Sequence, residues 1–173
     1  CGETNIDIPK HDATLRIERV WIEPRARATK EAMEAILNAD VVAIGPGDLF
    51  TSIIPNFLVE GISKTLQESK AEVVLNCNLM TKKGETDGFL VSDFVKKIEE
   101  YAQRKLDRVI CNDPAFLPQE LIAKYAVESS KPVLADVFGD WEGRKIEMHH
   151  LSKVSGGILR HDSEKIAKRV LGI

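Results

Sequence analysis

The sequence predicts a parallel α/β domain with helices on both faces of one sheet. Three observations carry this. The short runs 41–44, 73–75 and 108–111 are almost wholly apolar, as strands buried on both faces are. Amphipathic stretches of helical period separate them. Each strand is followed by a loop rich in Gly, Asn, Asp, Ser or Thr, and right-handed crossovers gather such loops at one edge of the sheet. That edge is where open α/β sheets bind ligands.

The elements follow in order. Residues 15–22 alternate apolar and charged before Val20-Trp21-Ile22, which predicts a half-buried strand ended by Glu23-Pro24. Thr29 is placed to cap a helix through Asn38, with Ala32, Met33, Ile36 and Leu37 on one face. The strand 41–44 leads through a polar loop, 45–52, into a helix over 55–68, in which Phe57, Leu58, Ile62 and Leu66 fall at helical spacing. The strand 73–75 enters a long loop, 76–88, and then a helix over 92–105 carried by Phe94, Val95, Ile98, Tyr101 and Ala102. The strand 108–111 turns at Asn112-Asp113-Pro114 into a helix over 118–127. Short strands at 133–135 and 145–151 follow. Asp162 or Ser163 caps a last helix with Ile166, Ala167, Val170 and Leu171 facing inward. A single domain over 1–173 is expected, without linkers or repeats.

Bulk properties exclude several classes. The chain has 173 residues, is 43% hydrophobic and carries a formal net charge of -3. That is a poor match to a general nucleic-acid binder, which shows a basic face, yet a nest of amides can still hold a small anion. No apolar run approaches the roughly 18 residues of a membrane span, and no charged segment followed by an apolar run opens the sequence, so a signal peptide is not expected in it. The three cysteines, Cys1, Cys77 and Cys111, lack CxxC spacing, which predicts buried free thiols and a cytoplasmic setting. Homo-oligomerisation is left open. The chain opens on Cys1-Gly2-Glu3 without Met, and a processed or partial chain is the expectation.

Two loops are candidates for chemistry. In Gly45-Pro46-Gly47-Asp48-Leu49-Phe50-Thr51-Ser52, glycines permit close backbone approach. The following helix offers free amides to an anion, and Thr51 and Ser52 add hydroxyls. The loop is neither a P-loop nor GxGxxG, and a tight turn with an ordinary cap is the blander reading. The second loop runs Asn76-Cys77-Asn78-Leu79-Met80-Thr81-Lys82-Lys83-Gly84-Glu85-Thr86-Asp87. Its amides suit a base or sugar edge, and its lysines can neutralise phosphate. A solvated loop with Gly84 in a turn is the alternative, although loops of this length are uncommon unless functional or mobile. Asn112-Asp113 is either a binding pair or an Asx-turn, and Asp136 a cap or a further edge residue. His11, His149, His150 and His161 show no zinc spacing. Arg160-His161-Asp162 reads on its own as a cap and surface charge cluster, and no Ser/His/Asp triad can be argued.

The run 39–93 resembles the bacterial gluconeogenesis factor family, which falls in one superfamily with 2-phospho-L-lactate transferase. The resemblance rests on Ala39-Asp40-Val41-Val42-Ala43-Ile44-Gly45-Pro46-Gly47-Asp48-Leu49-Phe50-Thr51-Ser52-Ile53-Ile54-Pro55-Asn56, on Asn78-Leu79-Met80-Thr81, and on Gly84-Glu85-Thr86-Asp87-Gly88. Gly2-Glu3 and Leu159-Arg160-His161-Asp162 extend it over nearly the whole chain. It implies a Rossmann-like three-layer sandwich and binding of a UDP-type nucleotide sugar, with a role in carbon metabolism and cell shape. The sister branch transfers a phospholactyl group from a guanosine donor to a deazaflavin, with Mg²⁺ as a candidate cofactor held by Asp48, Asp87 or Asp113. Catalysis by this chain is left open. The site expected from loops and resemblance comprises Gly45, Pro46, Gly47, Asp48, Leu49, Thr51, Ser52, Asn76, Asn78, Met80, Thr81, Gly84, Glu85, Thr86 and Asn112. Family members also carry an N-terminal strand and a GGGTG-type loop that this sequence lacks. The expectation is therefore a C-terminal portion without its N-terminal strands, its sheet edge left bare.

Overall fold

A computed structural model describes residues 2–7 and 15–173. Cys1 and His11 lie outside them. A short helix α1 (Glu3–Asp7) is followed by an extended stretch and by α2 (Lys30–Asn38), capped by the Thr29 hydroxyl accepting from Ala32 N. The sheet is built from β1 (Val41–Ile44), β2 (Glu72–Asn76), β3 (Arg108–Asn112), β4 (Gly139–Trp141) and β5 (Arg144–His149). Its spatial order is β1-β2-β3-β5-β4. The first four of these pair in parallel and only β4 runs antiparallel, as a hairpin edge on β5.

Alternation along the strands sorts the core into two faces. Val73, Leu75, Val109, Cys111 and Ile146 pack with Leu66, Phe94, Val95 and Ile98 in one cluster. These helical residues come from α4 (Ile62–Glu68) and α5 (Val91–Ala102). On the opposite face Val74 and Ile110 meet Leu151, which follows β5, and Ile166 of the last helix, α7 (Ser163–Leu171). This is the three-layer, mostly parallel arrangement that the apolar strand runs predict. Burying each large side chain such as Phe94 or Ile98 stabilises the fold by about 1.5–3 kcal/mol. Arg108 fastens the second face: it pairs with Glu72 at 2.8 Å and donates to the carbonyls of Arg169 and Val170, where α7 leaves acceptors unpaired.

Several expectations change. Residues 15–22 form no strand: Leu15 and Trp21 are exposed, and only Val20 is buried, its N–H donating to Tyr101 Oη. Alternation alone cannot make a strand without a neighbouring edge to complete its ladder. The helix expected over 55–68 is broken. A π-helical turn (Leu49–Ile53) runs into α3 (Ile54–Phe57), and α4 begins after Gly61 at φ +105°. Residues 133–135 form no strand, and Met80 and Pro132 share an isolated bridge instead. The hairpin β6 (Ser152–Ser155) and β7 (Ile158–His161) is an addition. In α7, Ala167 and Leu171 face outward, while Ile166 is buried and Val170 half-buried. The helix α6 (Gln119–Val127) packs Leu121, Ile122 and Tyr125 against Leu79, Leu117 and Leu159. Cys77 and Cys111 are buried free thiols. No helix among the described residues is long and apolar enough to cross a membrane.

Candidate functional site

Because β1 and β2 are parallel neighbours, the loops that leave them start side by side. Ile44 pairs with Leu75, so Gly45 and Asn76 emerge together. Gly45 takes φ +71°, and a Cβ there would lie 3.1 Å from the Asn76 carbonyl oxygen, so only glycine fits this crossing without strain. The Gly45–Pro46 peptide is cis. Asn76 Nδ2 reaches the Gly45 carbonyl at 3.4 Å, and Asn78 Nδ2 donates to the Gly47 carbonyl at 2.9 Å. Among the described residues, neither Asn76 Oδ1 nor Asn78 Oδ1, both buried, meets a hydrogen-bond donor.

The loops join into a cleft of about 530 Å³ lined by Pro46, Gly47, Asp48, Asn78, Met80, Thr81 and Lys82. Its other wall is built from Tyr125 and Ser130 and from Leu159, Arg160 and His161 at the end of the β6–β7 hairpin. Tyr125 Oη accepts from Leu159 N at 3.1 Å, which ties α6 to that hairpin. His161 Nε2 lies 3.2 Å from the Cys77 carbonyl oxygen, and burial pushes its pKa below the ordinary value. The second wall was not anticipated from Tyr125 or Ser130, which stand alone in sequence. Arg160 and His161 were within reach through the family motif, but on charge alone they resembled a surface cluster.

Beneath the cleft lies a charge cluster. Lys82 Nζ is 2.6 Å from Asp48 and 3.1 Å from Glu85, and it also pairs with Asp7. Burial acts to lower the Lys82 pKa, but the hydrogen bonds it donates to Asp48, Asp7 and Glu85 reverse this and hold the ammonium charged. The Glu85 side chain is fully buried, and burial raises its carboxyl above the ordinary range although Lys82 opposes the shift. Glu85 also accepts the Phe50 N–H at 3.4 Å. The protein's own carboxylate thus takes an amide within the loop 45–52, at the start of the π-helical turn.

The cluster bears on metal binding. Carboxylate oxygens of Asp7, Asp48 and Glu85 lie within 4.8 Å of one another, a donor set that Mg²⁺ accepts. Lys82 already supplies their positive charge. The group therefore does not fit a divalent cation unless Lys82 withdraws. Asp87 and Asp113 are not part of it: Asp87 accepts from Gly84 N, and Asp113 accepts from Ala115 N in an Asx-turn.

The structure spreads the remaining candidates widely. Leu49 is buried in the core. Thr51 lines a separate apolar groove of about 570 Å³ with Val20, Trp21 and Phe50. Ser52 lies with Gly45, Pro46 and Gly47 along the edge of β1, on which no further strand pairs among the described residues. The Thr81 hydroxyl accepts from Lys131 N at 3.0 Å, and the Thr86 hydroxyl from Lys82 N at 2.9 Å, so both shape the loop. Gly84 turns beside Glu85 at φ +78°. Asn112 accepts from Leu151 N and donates to the Asp113 carbonyl, each at 2.9 Å, which occupies its amide in joining β3 to the segment after β5. Asp136 accepts from Ser92 N at 3.0 Å, the plain helix-start role.

A parallel sheet with a cleft at the carboxyl ends of neighbouring strands defines an α/β ligand-binding protein. The family described as 2-phospho-L-lactate transferase CofD matches residues 1–153, and the chain belongs to this family. Among similar proteins is the gluconeogenesis factor of Halalkalibacterium halodurans, 34% identical over 98% of this chain and 52% of the relative. A putative gluconeogenesis factor of Clostridium acetobutylicum is 40% identical over 96% of this chain and 38% of its own length. The Bacillus subtilis gluconeogenesis factor is 31% identical over 91% of the chain and 50% of its own length. An X-ray structure of a Bacillus halodurans protein superposes with a TM-score of 0.86 at 33% identity, covering 98% of this chain and 54% of that one. The chain thus spans about half the length of most of the curated relatives it matches.

Proposed function

We propose that this chain forms much of a binding site for a UDP-type nucleotide sugar, in a protein that acts in carbon metabolism and cell-shape maintenance. The observation that carries the reading is the Asn78 amide. Its Nδ2 is spent on the Gly47 carbonyl at 2.9 Å, while its buried Oδ1 meets no hydrogen-bond donor among the described residues, and the residue itself lines the cleft. A buried acceptor without a donor costs about 1–3 kcal/mol, and an imide N–H or a sugar hydroxyl recovers it. The cleft's volume of about 530 Å³ falls in the range of small-ligand sites. Lys82 is committed to three carboxylates, so the diphosphate falls to Arg160 on the far wall. The curated relatives named gluconeogenesis factors support this choice within the family.

Isothermal titration with UDP-glucose, UDP and GDP tests the reading. Heat with the uridine ligands, at an affinity that Asn78→Ala lowers about tenfold, is the expected result; no heat with any uridine ligand overturns it. The family description favours a second reading, transfer of a phospholactyl group from a guanosine donor to a deazaflavin. Incubation with those two substrates and mass spectrometry of the acceptor decides for it if the mass of the transferred group appears.

A further inference from the structure

We infer that His161 is a ligand-facing hydrogen-bond acceptor, selecting a donor group of the ligand through its Nδ1; this rests on the nucleotide-sugar reading of the cleft. The geometry begins with Cys77. That residue follows β2, its N–H bound to the Ile110 carbonyl at 2.9 Å, and its own carbonyl oxygen lies 3.2 Å from His161 Nε2. A carbonyl oxygen can only accept, so the contact places the ring proton on Nε2. In the neutral ring Nδ1 then carries a lone pair. Burial disfavours the imidazolium, which keeps that lone pair free near neutral pH. No protein donor bonds Nδ1 among the described residues, and the ring lines the cleft together with Asn78.

The consequence is a chemical preference. His161 Nδ1 and Asn78 Oδ1 both accept, so this part of the cleft takes a ligand that donates twice. Sugar hydroxyls and the imide N–H of a uracil-like ring qualify. A phosphate oxygen or an ether does not, because it would bring lone pair against lone pair. The backbone anchor at Cys77 also makes the acceptor rigid: the ring cannot exchange its nitrogens without losing the bond that holds it to the end of β2. A surface charge cluster, the plain reading of Arg160-His161-Asp162, would instead leave the ring exposed and titrating near its ordinary value.

Long-range ¹H–¹⁵N spectra of the full chain, with and without UDP-glucose, test this directly. The expected result is a protonated Nε2 and a bare Nδ1 in the free protein, with the Nδ1 resonance moving as UDP-glucose is added. His161→Phe, which keeps the bulk and removes the acceptor, is expected to weaken UDP-glucose about tenfold. A proton found on Nδ1 overturns the inference without any ligand. Shifts at the Asn78 side-chain amide with none at His161 Nδ1 overturn it while leaving the nucleotide-sugar reading intact. UDP-glucose that moves no resonance anywhere overturns both.

Discussion

Asn78 Nδ2 donates to the Gly47 carbonyl oxygen across 2.9 Å, and this bond helps to lock the loop after β2 onto the loop after β1. Parallel pairing of Ile44 with Leu75 brings the loops together, and the amide then fixes their relative height. Asn78→Ala removes both the lock and the open acceptor. Its expected cost is about 1 kcal/mol in urea unfolding, with a larger proportional loss, about tenfold, in UDP-glucose affinity by titration. An unfolding midpoint that falls while affinity holds would confine Asn78 to a structural role.

Lys82 carries more of the local stability. It is the cation among Asp7, Asp48 and Glu85, and the Glu85 side chain is fully buried. Lys82→Met strands that carboxylate, an event that costs about 3 kcal/mol, the lower end of the range, since Lys82 is itself partly exposed. The double variant Lys82→Met with Glu85→Gln should regain much of the loss. The single variant should also acquire a response to Mg²⁺. With the ammonium gone, three oxygen donors face one another, and added Mg²⁺ is expected to raise Tm in the variant and leave the parent unchanged. Equal responses in both proteins would show that Lys82 does not hold the metal position.

The turn at Gly45 depends on that residue's lacking a side chain. Gly45→Ala forces a side chain to φ +71° and sets its Cβ 3.1 Å from the Asn76 carbonyl oxygen, a backbone atom with little room to yield. The expected destabilisation is about 1–3 kcal/mol, read by urea denaturation. Gly88→Ala is the control. It shares the same φ of +71°, but no atom lies within 4 Å of its Cβ, so it should cost only the conformational part. Equal losses at the two positions would remove the steric account of Gly45.

What could be read from the chain follows from the range of the forces involved. Val73-Val74-Leu75 and Val109-Ile110-Cys111 are apolar because both sheet faces are covered, and that burial is visible in a few letters. Thr29 and Asp162 cap helices through contacts two or three residues away, so their roles were equally legible. The cleft's near wall came from two loops that follow adjacent strands. Its far wall did not, because Gly156-Gly157, at φ +59° and +76°, marks a two-residue hairpin turn but does not say that the hairpin docks on Tyr125. Residues 15–22 erred the other way: alternation there reflects a chain lying over Tyr101 with Val20 inward, not a ladder. Glu85, chosen as a ligand contact, turns inward to Phe50 N and Lys82, a partnership set by tertiary contact across the loops.

Acid should act on the site through His161. Burial lowers its folded pKa below the ordinary 6.5, while the bond to the Cys77 carbonyl opposes that shift only in part. A depressed folded value means the unfolded chain binds the proton more readily. The stability from this residue is therefore fully present above about pH 6.5 and is lost as pH falls through the depressed folded value. His161→Phe cannot take up that proton. Unfolding free energies measured by urea at about pH 7.5 and about pH 5 should fall more steeply in the parent than in the variant, all other groups contributing alike to both. Ligand affinity should follow the same curve. Protonation converts Nδ1 from an acceptor to a donor, so UDP-glucose binding weakens on acidification in the parent and stays flat in His161→Phe. Parallel slopes in the two proteins would mean that the ring titrates as it does in the unfolded chain, and that its burial against Cys77 does not govern its charge.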